Sequence, residues 1–559
     1  MLRPHSACPT ACALALLVHV AAAQVPAQWN EPKSGVTADA GGWGKITDVQ
    51  GVRVSSLAHW MQEVDTDHPN PAAQHTLMRS ESLYLSYTND LALPAGAKIG
   101  HFGAFDFNFA SDIAICLGIY GEPPLAVSNG LYVGADLVLL EGWPVLAPPA
   151  PPGTTYRRFL DVRITDASLC LVRVDVAHPA LPGVDVPALV TALPPYVGAG
   201  AQEKLVVHAG VVPPAQTEPI VDIAHGQSRL ALNEANVPMF AVRLAGDPAR
   251  DHAIYVGAQV VAQEGGASPV AGRAWADLSN AWFDLGDGGD WAVCGRLDGA
   301  SADGELIARN GHKLVQSGDA VPSLAAPFAL LEVGRGGVHI DEQGRVLWMG
   351  RWNDPDTGRD EGLFLDHELI VQEGVSEAFG VAIGALDHGA DSIDLSPDGV
   401  YVAFKGVLPG VNGWTVFRRG PAAVLEVLGG CQPSGAALTS PTLFPKSGEV
   451  FNATLDGAQA AGAFGFLAYT HGALSSGPCG VAVPGLGELW IDPATLLLLQ
   501  ALGPWSGAPL VHPQPLPLAI ELVGAQLWMQ GAFVDVQGLA PNEPLRLSNA
   551  LRLQLGWTN

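Results

Sequence analysis

The chain has 559 residues and a formal net charge of −27, with 28 Lys plus Arg against 55 Asp plus Glu. That balance excludes nucleic acid as a partner, because neutralising phosphates needs a basic face, and it argues equally against anionic membrane surfaces. Charged residues make up only 15% of the chain while Gly and Pro number 66 and 44, the composition of many short strands joined by tight turns, and the length calls for more than one core.

Residues 1–23 carry one basic residue, Arg3, and then the apolar run Ala11 to Ala23, which reads as a signal peptide cut after Ala23 and makes the mature protein exported, secreted or held at the cell surface. The run is short for a bilayer span, and no later apolar run approaches 18 residues, so no transmembrane segment is expected after cleavage. An N-terminal segment, 24–45, leads into a repeat domain expected over 46–430.

The repeat is clearest at His339 to Gly374. An apolar residue, Ile340, precedes a tight turn, Asp341-Glu-Gln-Gly344, and a strand, and after a loop comes a hairpin, Gly362 to Val371. Aligned on a turn of the form N-x-x-G-x-x-A-F, further copies start at Thr47, Asn108, Thr165, Asn233, Gly286 and Ser396, between 53 and 68 residues apart. Hairpins recur at 131–142, 254–265, 306–318 and 363–374, the first two written LYVGADLVLLEG and IYVGAQVVAQEG. A near-constant period of this size marks a repeat architecture, and a unit of ~50 residues supplies about four strands, the size of one propeller blade. Such a unit cannot bury both faces of its sheet alone. Val346, Trp348, Phe364 and Val371 are therefore expected in the core between blades.

From Cys431 the periodicity changes. Strands are expected near Val450–Leu455, Phe464–Tyr469, Leu489–Ile491 and Leu496–Leu502, in a long hairpin over 516–523 and 526–534, and at Leu551–Trp557. This is a β-sandwich or jelly-roll pattern over 431–559. Fold class is thus all-β: a six- or seven-bladed β-propeller followed by a β-sandwich. Of the five cysteines that survive signal removal, Cys431 and Cys479 share the last domain, and a bridge between them would be worth roughly 4 kcal/mol by loop entropy. Cys116, Cys170 and Cys294 read as buried thiols.

The turn-plus-strand units NEANVPMF at 233, DEQGRVLW at 341 and SPDGVYVAF at 396 resemble the tandem NxxGxxAF repeats of bacterial secreted proteins, and Ser396-Pro-Asp-Gly399 also resembles the turn of TolB-type propeller blades. Residues 431–557, with GPCGVAVPGLGELWID and LSNALRLQLGW, are similar to a C-terminal β-domain appended to many exported bacterial proteins. The resemblance implies a propeller with an added β-domain and brings no catalytic residues with it. The motif's Gly is replaced by Ser111, Ser168 and Asn236.

Motif-borne chemistry is absent: there is no G-x-S-x-G elbow, no H-E-x-x-H, no phosphate-cradling loop and no Cys/His zinc set. The first functional reading is a non-enzymatic extracellular or cell-surface scaffold, monomeric, that presents loops to a protein or glycan. The alternative is a secreted glycan-active hydrolase or lyase with a carbohydrate-binding last domain, in which Trp505, flanked by Gly503, Pro504 and Gly507, would stack on a sugar ring. A cluster of carboxylates in a propeller pocket is what the alternative requires. The one cofactor candidate is Ca²⁺, at Asp354, Asp356 and Asp360, whose oxygens recur at alternate positions as in calcium loops, although Asp and Gly are also what plain surface turns use.

Overall fold

The structure is a computed structural model. It describes residues 33–34 and 46–555 except 55–59, 70–73, 80–81, 86–96, 109–111, 122–127, 147–149, 194–201, 224–229, 300, 325–327, 379–380, 410–413, 421–423, 429–435, 443–444, 446–449, 458–462, 475–478, 484–485, 517–524 and 536–544. The expected signal peptide and most of the segment 24–45 lie outside these. Two compact units divide the described chain after Arg418.

The first unit is propeller-like. Antiparallel sheets follow one another along the chain, each a four-strand meander such as Leu330–Ile340, Val346–Trp352, Glu361–Leu365 and Glu368–Gln372. Equivalent sheets begin with the strands Ile46–Val54, Ala97–Phe107, Thr155–Ile164 and Trp275–Leu285. In the fourth sheet the first strand is split into Ile220–Ile223 and Ala231–Leu232, both paired with Pro238–Leu244, and this insertion explains the longest repeat spacing. The seventh sheet takes Ile393–Leu395, Val402–Gly406 and Thr415–Arg419 from the end of the unit and Lys33–Ser34 from its beginning, with Lys33 opposite Val416. It packs on the first sheet: the N–H of Val52 donates to the carbonyl of Asp391 at 3.1 Å, and Lys405 Nζ to the carbonyl of Gln50 at 3.3 Å.

The repeated turn has a physical reason for each of its residues. Its first side chain accepts the backbone N–H four residues on: Asn108 from Asp112 at 2.8 Å, Thr165 from Leu169 at 3.2 Å, Asn233 from Val237 at 2.9 Å, Asp341 from Arg345 at 2.8 Å. Only short polar side chains reach that distance. The fourth position is left-handed, at φ +77° in Gly344 and +68° in Gly399, and the substitutes Ser168 and Asn236 adopt the same conformation at φ 58° and 62°. The recurring hairpins are the third and fourth strands of each sheet, for example Ser128–Val133 with Asp136–Leu140.

The first copy of the repeat does not start at Thr47. Ile46–Val54 is one strand with Val54 the apolar residue at its end, so Thr47 lies inside a strand and opens no turn; residues 55–59, which follow, lie outside the described residues. Gly51, within this strand, serves for close approach, since a Cβ there would lie 3.2 Å from the Cβ of Asp391.

Between sheets the packing is apolar. Val346, Trp348, Phe364 and Val371 are fully buried, and the first three share a cluster with Ala292, Cys294 and Ile307 of the preceding sheet. Trp348 stacks on Phe364 with centroids 4.3 Å apart, worth about 0.5–1.5 kcal/mol beyond the area buried. Cys116, Cys170 and Cys294 are buried thiols.

The second unit has a five-stranded sheet in the order Val424–Leu428, Leu545–Gln554, Gln526–Val534, Phe464–Thr470, Leu496–Pro504, and a three-stranded one made of Ala437–Thr439, Val450–Asp456 and Leu510–Pro515. Alternate residues of both meet in one core, Leu438, Phe451 and Leu455 from the smaller sheet against Leu467, Met529, Phe533 and Leu551 from the larger. Val424–Leu428 pairs with the last strand, Val424 opposite Gln554, so this unit begins before the boundary expected at Gly430. Of the expected hairpin, 517–523 lies outside the described residues. Cys479 is bonded through its sulfur, while Cys431 lies outside the described residues.

Candidate functional site in the channel between the sheets

A cavity of about 400 Å³ is lined by the seven sheets described above, at the ends of their first strands. In six of these sheets the position just before the strand-end apolar residue faces it and is ionisable, Arg53, Asp106, Arg163, Asp284, His339 and Asp394, while in the fourth sheet that position is Ala231, which packs in the core, and Leu232 lines the cavity instead. The following turns add Asp166, Glu234, Asp287, Glu342 and Asp398. Trp282 supplies an aromatic wall.

Each inner aspartate holds the next sheet. The N–H of Ile164 donates to Asp106 Oδ2 at 3.1 Å, that of Ile340 to Asp284 Oδ2 at 3.0 Å, and that of Val54 to Asp394 Oδ2 at 2.7 Å. The last of these links the seventh sheet to the first in the same way as the others. Arg53 pairs with Asp391 and also donates to the carbonyl of Val52 at 2.8 Å. His339 Nδ1 stands 3.4 Å from Asp394 Oδ1 and 3.7 Å from Asp284 Oδ2.

Burial raises the proton affinity of all three inner aspartates. Asp394 is pushed up to about 7 by burial, with Arg53 and the Val54 N–H opposing the rise and the charges of Asp106 and Asp284 adding to it. Asp106 and Asp284 are raised too, chiefly by burial; Arg163 opposes both shifts, and for Asp284 the N–H of Ile340 opposes more strongly. At the turns, burial raises Glu234 and Asp287. These carboxyls still face the cavity, Asp284 with 25% of its side chain exposed and Asp394 with 10%. A carboxyl titrating near 7 beside others, within reach of an imidazole, can give and take protons at neutral pH.

The sequence contained a signal for this ring. At the aligned position before each strand-end apolar residue, a charge or histidine stands inside an apolar strand end in every sheet but the fourth. Only alignment of the strand ends shows it, because any one of these residues alone is an isolated charge.

The residues expected to be functional lie elsewhere. Trp505 is buried, edge-on to Phe533 with centroids 6.0 Å apart, so it does not offer a face to a sugar. Its glycine and proline neighbours suggested an open loop, but Gly503 at φ +108° and Gly507 at φ +99° turn the indole inward. Asp354 and Asp356 act as turn formers, accepting the N–H of Asp356 at 2.9 Å and of Gly358 at 3.2 Å, and Arg359 lies against both. Asp360 is buried, and burial raises its proton affinity. Among the described residues the one group of three possible metal ligands within 4.8 Å is Asp251, His252 and Glu264. There Glu264 Oε2 receives the His252 N–H and ring nitrogen, as Glu141 receives the N–H and amide of Asn129 two sheets earlier, so the group is the repeat's clasp with a histidine in it.

No protein-family model and no curated protein matches the chain. Among solved structures it is similar in outline to the Dos1 propeller, at 9% identity and a TM-score of 0.31 over 70% of this chain and 95% of that one. An alpha-L-arabinanase of Penicillium chrysogenum complexed with arabinobiose matches at 10% identity and a TM-score of 0.27, covering 70% and 98%. A sialidase of Trypanosoma rangeli matches at 11% identity and a TM-score of 0.25, covering 95% and 91%.

Proposed function

We propose that the chain is an exported seven-bladed β-propeller joined to a β-sandwich, and that it acts on glycans in the propeller channel. The observation that carries this is the convergence of Asp106, Asp284 and Asp394, all with raised proton affinity, on one cavity with Arg53, Arg163, His339 and Trp282. Cleaving a glycosidic bond needs one carboxyl protonated and another ionised at the working pH. Asp394 suits the acid. Asp284, across His339, is the other half of the pair: burial raises it too, but the N–H of Ile340 opposes that rise and favours its ionised form, and Trp282 offers an apolar face to a sugar ring. Export rests on the apolar run ending at Ala23, and the kinship with NxxGxxAF-repeat proteins on the turns at 233, 341 and 396.

Glycan-array binding and calorimetry on wild type and Trp282→Ala test the reading: it expects a bound glycan class whose affinity falls at least tenfold in the variant. No binding to any glycan would favour the second reading, a non-enzymatic scaffold. That reading is supported by the use of the same three aspartates to hold the next sheet's backbone.

A further inference from the structure

Strand Leu496–Pro504 ends the five-stranded sheet. It pairs with Phe464–Thr470, and among the described residues no strand lies beyond it. Its first four residues are all leucine and are 45, 56, 42 and 58% exposed. Alternate side chains of a strand point to opposite faces, so cover on either face would bury one pair; neither is buried. An edge strand also carries unpaired backbone groups, and proteins ordinarily guard such edges with charge or proline. From Leu496 to Gly503 there is neither. Register shifts fall at Leu497 and Leu502 and leave Leu498–Ala501 regular.

We propose that this edge pairs with the same edge of a second copy, two-fold and antiparallel, joining two five-stranded sheets. Self-complementarity selects the occupant. The chain carries −27, which keeps the association of two copies weak, but from Leu496 to Gly503 the strand brings no charge of its own into the contact. The match is self-complementary, because leucine meets leucine across the axis. The four leucines and Val511, 62% exposed on the strand that follows, offer roughly 400–450 Å² per copy, at the small end for specific interfaces, so the dimer is weak and reversible.

Sedimentation velocity of the full chain over a concentration series tests this. Wild type should move from monomer to dimer as concentration rises. Leu498→Glu sets like charges against each other across the axis and should weaken dimerisation at least tenfold with an unchanged melting temperature. Gln500→Glu, outside the leucines, should act in the same direction and guards against misfolding of the first variant. A wild type that stays monomeric at the highest concentration, or a dimer that survives both substitutions, would overturn the proposal. So would monomers that float with phosphatidylcholine vesicles through these leucines.

Discussion

Replacing Asp394 by Asn removes the titration that burial imposes on the channel while keeping the carbonyl oxygen that accepts the Val54 N–H. In the folded protein Asp394 titrates near 7, against 3.8 for an ordinary aspartate. A carboxyl raised in this way contributes stability that is fully present below its unfolded value and is lost as pH rises through its folded value. The window is therefore pH 4 to 7. At 1.36 kcal/mol per unit the shift is worth at most about 4 kcal/mol, and with part of the side chain facing the cavity, about 2–4 kcal/mol is expected. Urea unfolding of both proteins between pH 4 and 8, followed by tryptophan fluorescence, measures it. Wild-type stability relative to Asp394→Asn should fall by that amount across the window, leaving the variant relatively favoured at pH 8. A difference that stays flat, or that grows with pH, would refute the reasoning, since it would mean that Arg53 keeps Asp394 ionised in the fold.

His75 is raised to about 9 by its hydrogen bond to Glu63, against burial and with help from Asp65, so its contribution is full below about 6.5 and lost as pH passes 9. With the ring 35% exposed, solvent screening leaves about 1 kcal/mol: melts should show His75→Gln losing that at pH 6 and nothing near pH 10. Asn236→Ala should cost about 1 kcal/mol in chemical denaturation while Asn236→Gly does not, because φ 62° suits Asn and Gly and not Ala. Calcium should leave thermal melts unshifted, since Arg359 already lies against Asp354 and Asp356; a shift at millimolar calcium abolished by Asp356→Ala would restore the metal reading. Non-reducing peptide mapping of the protein should find Cys431 linked to Cys479, and two alkylated thiols there would exclude the bridge.

The strands and turns of the repeats could be read because they depend on local rules. A short polar acceptor must reach an N–H four residues on, and a left-handed residue must follow, so Asn108, Thr165, Asn233 and Asp341 announce themselves. What failed depended on distant partners. Thr47 does not open a turn because it lies in the strand Ile46–Val54, which is held from the far end of the unit by the carbonyl of Asp391 at the N–H of Val52. Val424–Leu428 belongs to the second unit through a strand at the far end of the chain. The channel is the extreme case: no two of its charged strand ends are close in sequence, and only the order of the sheets brings them together.

The claim that the channel is a glycan-cleaving site is tested most directly by incubating the purified protein with a panel of polysaccharides and following new reducing ends by mass spectrometry. Wild type should release products from one glycan class. Asp394→Asn, folded, should release them at least a hundredfold more slowly, the scale of a lost general acid. No product from any glycan, or equal product from Asp394→Asn, would contradict the account.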